Sequence, residues 1–378
     1  MGACPGFDWI PAIWGRVAQG CIPSLNFTPV KIMIVGQGIA GTWLSYWFGK
    51  MGADVMVFDE PRPNTATRVA SGVINPVTGR QAVTTWMADT LLPFAGEAYT
   101  IIGEKIGAVV VKDCGILSFP PSEQMEQSYL QRMAESPTYV QRVPDSGEWG
   151  QYFRFMHGAV QIKPAFWVDL QTLLTGWRKW LLQSGSLCDT FFDENLLQVG
   201  GAGVSYQGHT ADYIFYCDGV QCARSKYWDG LPFSFNKGEA LIAEIPGLPY
   251  GRVYKFGVST LVPWQGGQWW VGSTYDNRFT HEAPSDAFRT RTEQFLEMTL
   301  KLPFVIKGHH AAIRPSTLER RPFAGLHPNL PRVGILGGLG TKGVSLSPWL
   351  AKQLAGLVLH GGQLVPEANV QRFKRAFL

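Results

Sequence analysis

Short apolar runs alternate with longer amphipathic ones along most of the chain. Ile32 to Val35 forms an apolar strand that runs into Gly36-Gln37-Gly38-Ile39-Ala40-Gly41. A helical segment follows, then a second apolar strand, Val55 to Phe58, ending at Asp59-Glu60. Trp86 to Gly107 predicts a helix, Val109 to Pro120 strands, and Ser122 to Ser136 a polar helix. After Gly158 a strand precedes Pro164. The helix beyond it carries Val168, Leu170, Leu173, Leu174, Trp177, Leu181 and Leu182 close to the 3.6-residue period. Asp212 to Gly219 reads as a buried strand closed by Asp-Gly. Between 231 and 275, ALIAEI and WWVGSTY alternate apolar and polar positions, as antiparallel sheet does. Pro284 to Leu302 predicts another helix. Val333 opens a last strand with a glycine-rich exit. It leads to a helix from Ser347-Pro348, with serine as N-cap and proline at the first helical position. Pro61 to Gly79 and Asp145 to Gln151 read as loops.

The first glycine turn carries recognisable chemistry. Gly36 allows the tight turn, Gly38 lets backbone approach a pyrophosphate, and Gly41 lets helix pack on strand. Unpaired N–H groups at Ile39, Ala40 and Gly41 and the helix dipole then favour an anion. Asp59 follows Gly41 by 18 residues, where a carboxylate meets a ribose hydroxyl, and Glu60 adjoins it. Ser71 and Gly72 offer further hydroxyl and backbone groups to a phosphate. Strand, helix, second strand and acid in this order predict a dinucleotide site.

Composition narrows the class. With 378 residues, 46% hydrophobic and only 16% charged, the chain holds one large or two moderate cores. A net charge of +4, dispersed along the sequence, makes nucleic acid binding an unlikely expectation. The six cysteines (Cys4, Cys21, Cys114, Cys188, Cys217 and Cys222) show no C-x-x-C, which suggests free thiols in a reducing, cytoplasmic compartment. No apolar run is long enough to span a membrane. Residues 1–29 resemble no signal peptide and read as an extension of unknown role.

Four motifs in order, IVGQGIAG with Asp59, GAVQIKPAFWVDLQTLL, AAIRPSTLERRPFAG and GILGGLGTKGVSLSP, resemble the flavin-dependent D-amino acid oxidase superfamily over about residues 31–375. Ala312 stands where that family's G-[LI]-R-P segment has glycine. The resemblance implies an α/β fold, α+β overall. Its Rossmann-like FAD-binding domain is discontinuous (30–105, 155–225 and 308–378), with an inserted antiparallel-sheet substrate domain (106–154 and 226–307). It implies FAD, held noncovalently, because no Cys or His falls at a matching attachment position; His309 and His310 lie just upstream. Gly219, Gly338, Gly340, Thr341, Lys342 and Gly343 join the cofactor set through the same resemblance.

Arg314 matches the family's R-P arginine and is the first candidate to grip a substrate carboxylate; its alternative is a surface arginine. Lys342 is the second, able to stabilise negative charge on a reduced flavin; its alternative is a solvent-facing lysine. Arg320 and Arg321 are neighbours that could compete with Arg314. Tyr254, Lys255, Trp264 and Tyr275 fall in the expected roof, with core positions as the simpler reading. His157 and His209 read as loop or strand-end residues.

The implied activity is FAD-dependent oxidation of the C–N bond of an amino acid or N-substituted amino acid. Hydride passes to flavin N5, the imine hydrolyses, and O2 or another acceptor reoxidises the flavin. A flavin-dependent tRNA wobble-uridine enzyme, a 2-hydroxy acid dehydrogenase and a non-catalytic flavin-binding protein remain alternatives.

Overall fold

The computed structural model describes residues 28–377, so Cys4, Cys21 and nearly all of the expected extension lie outside the described residues. A six-stranded sheet draws on distant parts of the chain. Its order is Leu187–Cys188, Asp54–Phe58, Lys31–Val35, Tyr213–Tyr216, Val333–Gly337 and Phe323–Leu326. The first five strands run parallel, and the last pairs antiparallel at the edge. Parallel strands are covered on both faces, which is why these segments are apolar throughout rather than alternating. Ile32 and Ile34 face one core, Met33 and Val35 the other.

Seven helices accompany the sheets among the described residues: α1 Ile39–Lys50, α2 Ala66–Val69, α3 Ala88–Ile106, α4 Glu123–Glu135, α5 Leu170–Gln183, α6 Asp286–Thr299 and α7 Gly343–His360. α1, α3, α5 and α7 share the Ile32/Ile34 core. α3 stops where expected, because Gly107 takes the left-handed conformation (φ 69°) that ends a helix.

The second large sheet has eight strands, ordered Val305–Thr317, Phe233–Glu244, Trp269–Gly272, Ser259–Pro263, Val253–Phe256, Ile116–Phe119, Val160–Ile162 and Val140–Arg142. The alternation read between 231 and 275 is its two-faced burial. Ala240, Ile242, Val253, Val262 and Trp270 face the helical core, while Leu241, Ala243, Tyr254, Leu261 and Val271 pack beneath α6. One pairing departs from the antiparallel expectation: Val253–Phe256 runs parallel to Ile116–Phe119. Trp270 ties this sheet to α2 by donating its indole N–H to the Val69 carbonyl at 2.9 Å.

Three local readings are corrected. Pro61 to Gly79 contains α2 and the short strands Val73–Ile74 and Val77–Thr78, and Asp145 to Gln151 contains a 3-10 turn, Gly147–Gln151. The last helix begins at Gly343, not at Ser347-Pro348, so Pro348 sits inside α7. Proline lacks the N–H that would bond to the Val344 carbonyl four residues back. The Tyr99 hydroxyl of α3 donates to that carbonyl at 2.8 Å instead. A side chain from another helix therefore compensates for the break that the local signal announces.

Candidate active site

The glycine turn packs tightly at two of its positions and stays open at the third. Gly36 has φ 93°, and a Cβ there would stand 2.7 Å from the Asp218 backbone; at Gly41 a Cβ would stand 1.8 Å from the Gly36 carbonyl. These two glycines are therefore demanded by the protein's own packing. Gly38 is not: its φ is −76°, and an added Cβ would meet only Thr67 Oγ1, at 3.4 Å. A glycine that the polypeptide itself does not require, at the mouth of a helix, leaves room for something that is not polypeptide. α1 carries no acidic residue in its first turn. Helix geometry leaves the N–H groups of Ile39, Ala40 and Gly41 without intrahelical acceptors. Thr67 Oγ1 accepts from the first of them at 3.1 Å, which brings the α2 segment and Ser71 beside the helix mouth. Gly72 (φ 80°) lies flat against the Val168 carbonyl, where any side chain would clash.

Asp59 ends its strand where expected. One carboxylate oxygen accepts from the Gln37 N–H at 2.8 Å, the other from Arg178 at 2.6 Å. Arg178 also bridges to Asp189 at 2.8 Å, so the guanidinium fixes the carboxylate's direction. An ionised carboxylate has about four acceptor positions, so capacity remains for a ribose hydroxyl. Glu60 is turned away and pairs with Arg62 at 3.3 Å on the surface.

The C-terminal turn meets the same place. Gly338 (φ 67°) and Gly340 (φ 54°) pack on Thr317 and Ser316, and Gly343 approaches Ile39 at the head of α1. The N-termini of α1 and α7 therefore converge, and neither first turn carries an acid. Thr341 is exposed, and Gly219 (φ 68°) has nothing within 4 Å of its Cβ position.

Roof residues complete the site. His309 points to the α6 side, where Glu239 takes it at 3.1 Å. By alternation His310, Ala312, Arg314 and Ser316 face the opposite side, that of Ala240, Ile242 and the helical core. Arg314 lies over Gly238, crosses that strand and reaches the next. Its Nη1 donates to Asn236 Oδ1 at 2.6 Å and to the Thr274 carbonyl at 3.0 Å, and its Nη2 donates to Ser273 Oγ at 3.0 Å. One Nη2 hydrogen and the Nε–H have no protein acceptor among the described residues.

Lys342 is not solvent-facing. It lies deep in the protein and donates to Asn75 Oδ1 at 3.2 Å. Burial, helped by the nearby charge of Lys255, pulls its pKa down to about 8. Lys255 occupies the same face of the roof as Val253, also deep, and burial alone pulls its pKa down to about 8. Both lysines retain some accessible surface. The sequence signal for Lys255 is a lone lysine inside VYKF, where an alternating strand has no reason to bury a charge.

The remaining candidates fall elsewhere. Arg321 lies over the Trp86 ring at 4.7 Å and Arg320 is exposed, so neither shares the partners of Arg314. Tyr254 is buried on the α6 side with Trp149, Phe153 and Trp269, Tyr275 is exposed, and Trp264 packs partly buried at the edge of the helical core. His157 pairs with Glu126 at 3.2 Å, and His209 lies 3.8 Å from Cys188. Asn75, Arg178 and Gly238 were not singled out by sequence.

The match to known proteins agrees with this geometry. The DAO family, described as FAD dependent oxidoreductase, matches residues 31–357. The chain belongs to that family. It is therefore an FAD-dependent oxidoreductase. Over 363 residues it is 24% identical to the uncharacterized oxidoreductase YurR of Bacillus subtilis, covering 86% of this chain and 94% of that one. Its fold is similar to iminodiacetate oxidase from Chelativorans sp. BNC1 (TM-score 0.72, 21% identity, 89% and 97% coverage). It is similar also to glycine oxidase from Geobacillus kaustophilus (TM-score 0.73, 18% identity, 89% and 96% coverage). Among the described residues no helix is long and apolar enough to cross a membrane, and no cluster of potential metal ligands occurs.

Proposed function

We propose that this protein oxidises the C–N bond of an amino acid or N-substituted amino acid, with Arg314 binding the substrate carboxylate. The observation that carries this reading is the Arg314 guanidinium. It is half-buried in the roof, held by three hydrogen bonds to Asn236, Ser273 and Thr274, and still has two N–H groups with no protein acceptor among the described residues. A fixed planar donor of this kind suits a carboxylate better than a mobile ammonium does. Amine oxidases with the same fold, including those named for iminodiacetate and glycine, support the substrate class.

Bound FAD supplies the hydride acceptor. Residues 36–41, 59, 71–72 and 338–343 would hold it: the α1 N-terminus for the pyrophosphate, Asp59 for the ribose, and the converging α7 N-terminus for the ring's electron-rich edge. Arg314 then fixes the substrate's orientation, so that the α-hydrogen points away from the roof and toward the cradle. Orientation of this kind is the largest contribution the protein makes to a reaction that needs little acid–base assistance. Lys342 adds positive potential where negative charge develops. Water completes the chemistry by hydrolysing the imine.

FAD is held noncovalently in this reading. Cys217, the thiol nearest Gly41, is fully buried, and burial pushes its pKa well up, away from the reactive thiolate. The test is a visible spectrum of the purified protein before and after anaerobic addition of glycine, sarcosine, proline and several D-amino acids, with acid precipitation of a parallel sample. Flavin bands that bleach, and flavin that stays in the acid supernatant, are expected. A flavin that no amine bleaches would overturn the substrate class.

A further inference from the structure

Two charged side chains stand where the roof strand Phe233–Glu244 would be expected to bury apolar ones. On its α6 side Leu241 and Ala243 join the core, yet the same face carries Lys237 and Glu239, which are only 3% and 4% exposed. Glu239 is saturated. One of its oxygens accepts from the Ser285 hydroxyl at 2.8 Å and pairs with Lys237 at 3.4 Å. The other accepts from the Ser285 N–H at 2.6 Å and lies 3.1 Å from His309 Nε2, which must donate because a carboxylate only accepts. A buried ion pair often holds a fold no better than apolar residues of similar volume, so stability alone does not account for this cluster. A fully satisfied polar cluster does, however, impose one geometry on what it binds.

The cluster grips one end of a segment whose other end holds Arg314. Residues 273–285 leave the strand Trp269–Gly272 and lead to α6. At the start, Ser273 Oγ and the Thr274 carbonyl take two of the three hydrogen bonds of the Arg314 guanidinium. Asn236 takes the third, and its Nδ2 donates to Asn277 of the same segment at 3.1 Å. Thr274 Oγ1 accepts from the Glu239 N–H at 2.9 Å, and Asp276 exchanges backbone hydrogen bonds with Lys237 at 2.8 and 3.1 Å. At the far end Lys237 Nζ donates to the Ala283 carbonyl, and Glu239 holds Ser285, the N-cap of α6. Residues 275–278 and 280–284 are exposed, so the bonds at the two ends set where the segment lies. Lys237 and Glu239 also flank Gly238, over which Arg314 lies. The two faces of one short stretch of strand therefore carry the guanidinium and the anchor of its scaffold.

We infer that Glu239 is a positioning residue for Arg314: with Lys237, His309 and Ser285 it fixes the 273–285 segment, which aims the guanidinium at the substrate carboxylate. This rests on Arg314 binding that carboxylate. It puts part of the substrate-orienting machinery on the face of the roof turned away from the guanidinium, where no residue would touch substrate.

The test uses the FAD-loaded enzyme and needs no turnover: the flavin spectrum is titrated with acetate, a carboxylate probe. Glu239→Gln keeps the side chain's size but sets an NH2 group against donors. It should raise the acetate dissociation constant about tenfold with FAD content unchanged. Ser285→Ala removes one of the four contacts and should raise it about threefold, which decides the matter where Glu239→Gln does not fold. Leu296→Val, a buried α6 position outside the cluster, supplies a destabilised control, and its acetate affinity should stay at the wild-type value. Weakened binding in the cluster variants but not in the control supports the positioning role. Wild-type affinity in the cluster variants, while Arg314→Met abolishes binding, would overturn the inference and leave the Arg314 reading standing. An equal loss in Leu296→Val would also overturn it, as general loosening of the roof. Acetate that leaves the wild-type flavin unperturbed, or perturbs Arg314→Met equally, would overturn the Arg314 reading and the inference with it.

Discussion

Arg314 crosses the Gly238 strand because residue 238 has no side chain: a Cβ there would stand 1.9 Å from Nη2 of the guanidinium. The carboxylate-binding geometry proposed for Arg314 therefore depends on a glycine that would touch no substrate. Gly238→Ala should displace the guanidinium by an ångström or more. A loss of about 100-fold in kcat/KM is expected, with FAD still bound. Steady-state kinetics and the flavin absorbance ratio check both halves. Full activity in the variant would remove Arg314 from the carboxylate role.

Ionisation of the lysines gives a pH dependence with a definite sign. Lys255 and Lys342 titrate near 8 in the folded protein against an ordinary value of 10.5. The unfolded chain thus holds more protons between about 8 and 10.5, and the folded protein gains relative stability as pH rises through that window. Below pH 8 the full penalty of burying both charges is present. Urea unfolding at about pH 7 and about pH 9.5, compared with Lys342→Met, measures the slope. A wild-type stability slope no steeper than that of the variant would contradict the assignment.

Tyr99 and Pro348 form a pair whose value can be measured separately from catalysis. Tyr99→Phe leaves the Val344 carbonyl without the hydroxyl that replaces proline's missing N–H. A loss of about 1–2 kcal/mol in unfolding free energy is expected, as for a buried hydrogen bond removed from one side. Denaturant unfolding tests it, and a change below about 0.3 kcal/mol would mean that Val344 finds another donor.

Arg178 fixes Asp59 from outside the glycine turn. Arg178→Met should loosen the carboxylate and raise the FAD dissociation constant about tenfold, equivalent to one charge-assisted hydrogen bond. Flavin fluorescence on dilution provides the reading, and unchanged FAD affinity would place the ribose contact elsewhere.

How much of this was legible depends on how local each signal is. Gly36, Gly38, Gly41 and Asp59 lie within one strand–helix–strand unit, and that unit was legible from their spacing alone. The two-faced roof was legible because ALIAEI and WWVGSTY each span enough residues to show alternation. Gly238 and Asn75 were not. Gly238 meets Arg314 through register with a distant strand, and Asn75 meets Lys342 across 267 residues, so no window along the chain contains both partners. Ser347-Pro348 was misleading for the converse reason. It carries a correct local signal for a helix start, overridden by a hydroxyl contributed from residue 99.

The six-stranded sheet has a consequence for how the molecule can be divided. Its Val333–Gly337 strand pairs with Tyr213–Tyr216, and Gly343 at the start of α7 abuts Ile39 at the head of α1. Roof strands lie in sequence between members of this sheet, so no single cut along the chain parts one sheet from the other. A backbone nicked between Tyr216 and Phe233 would leave two fragments that still share the six-stranded sheet.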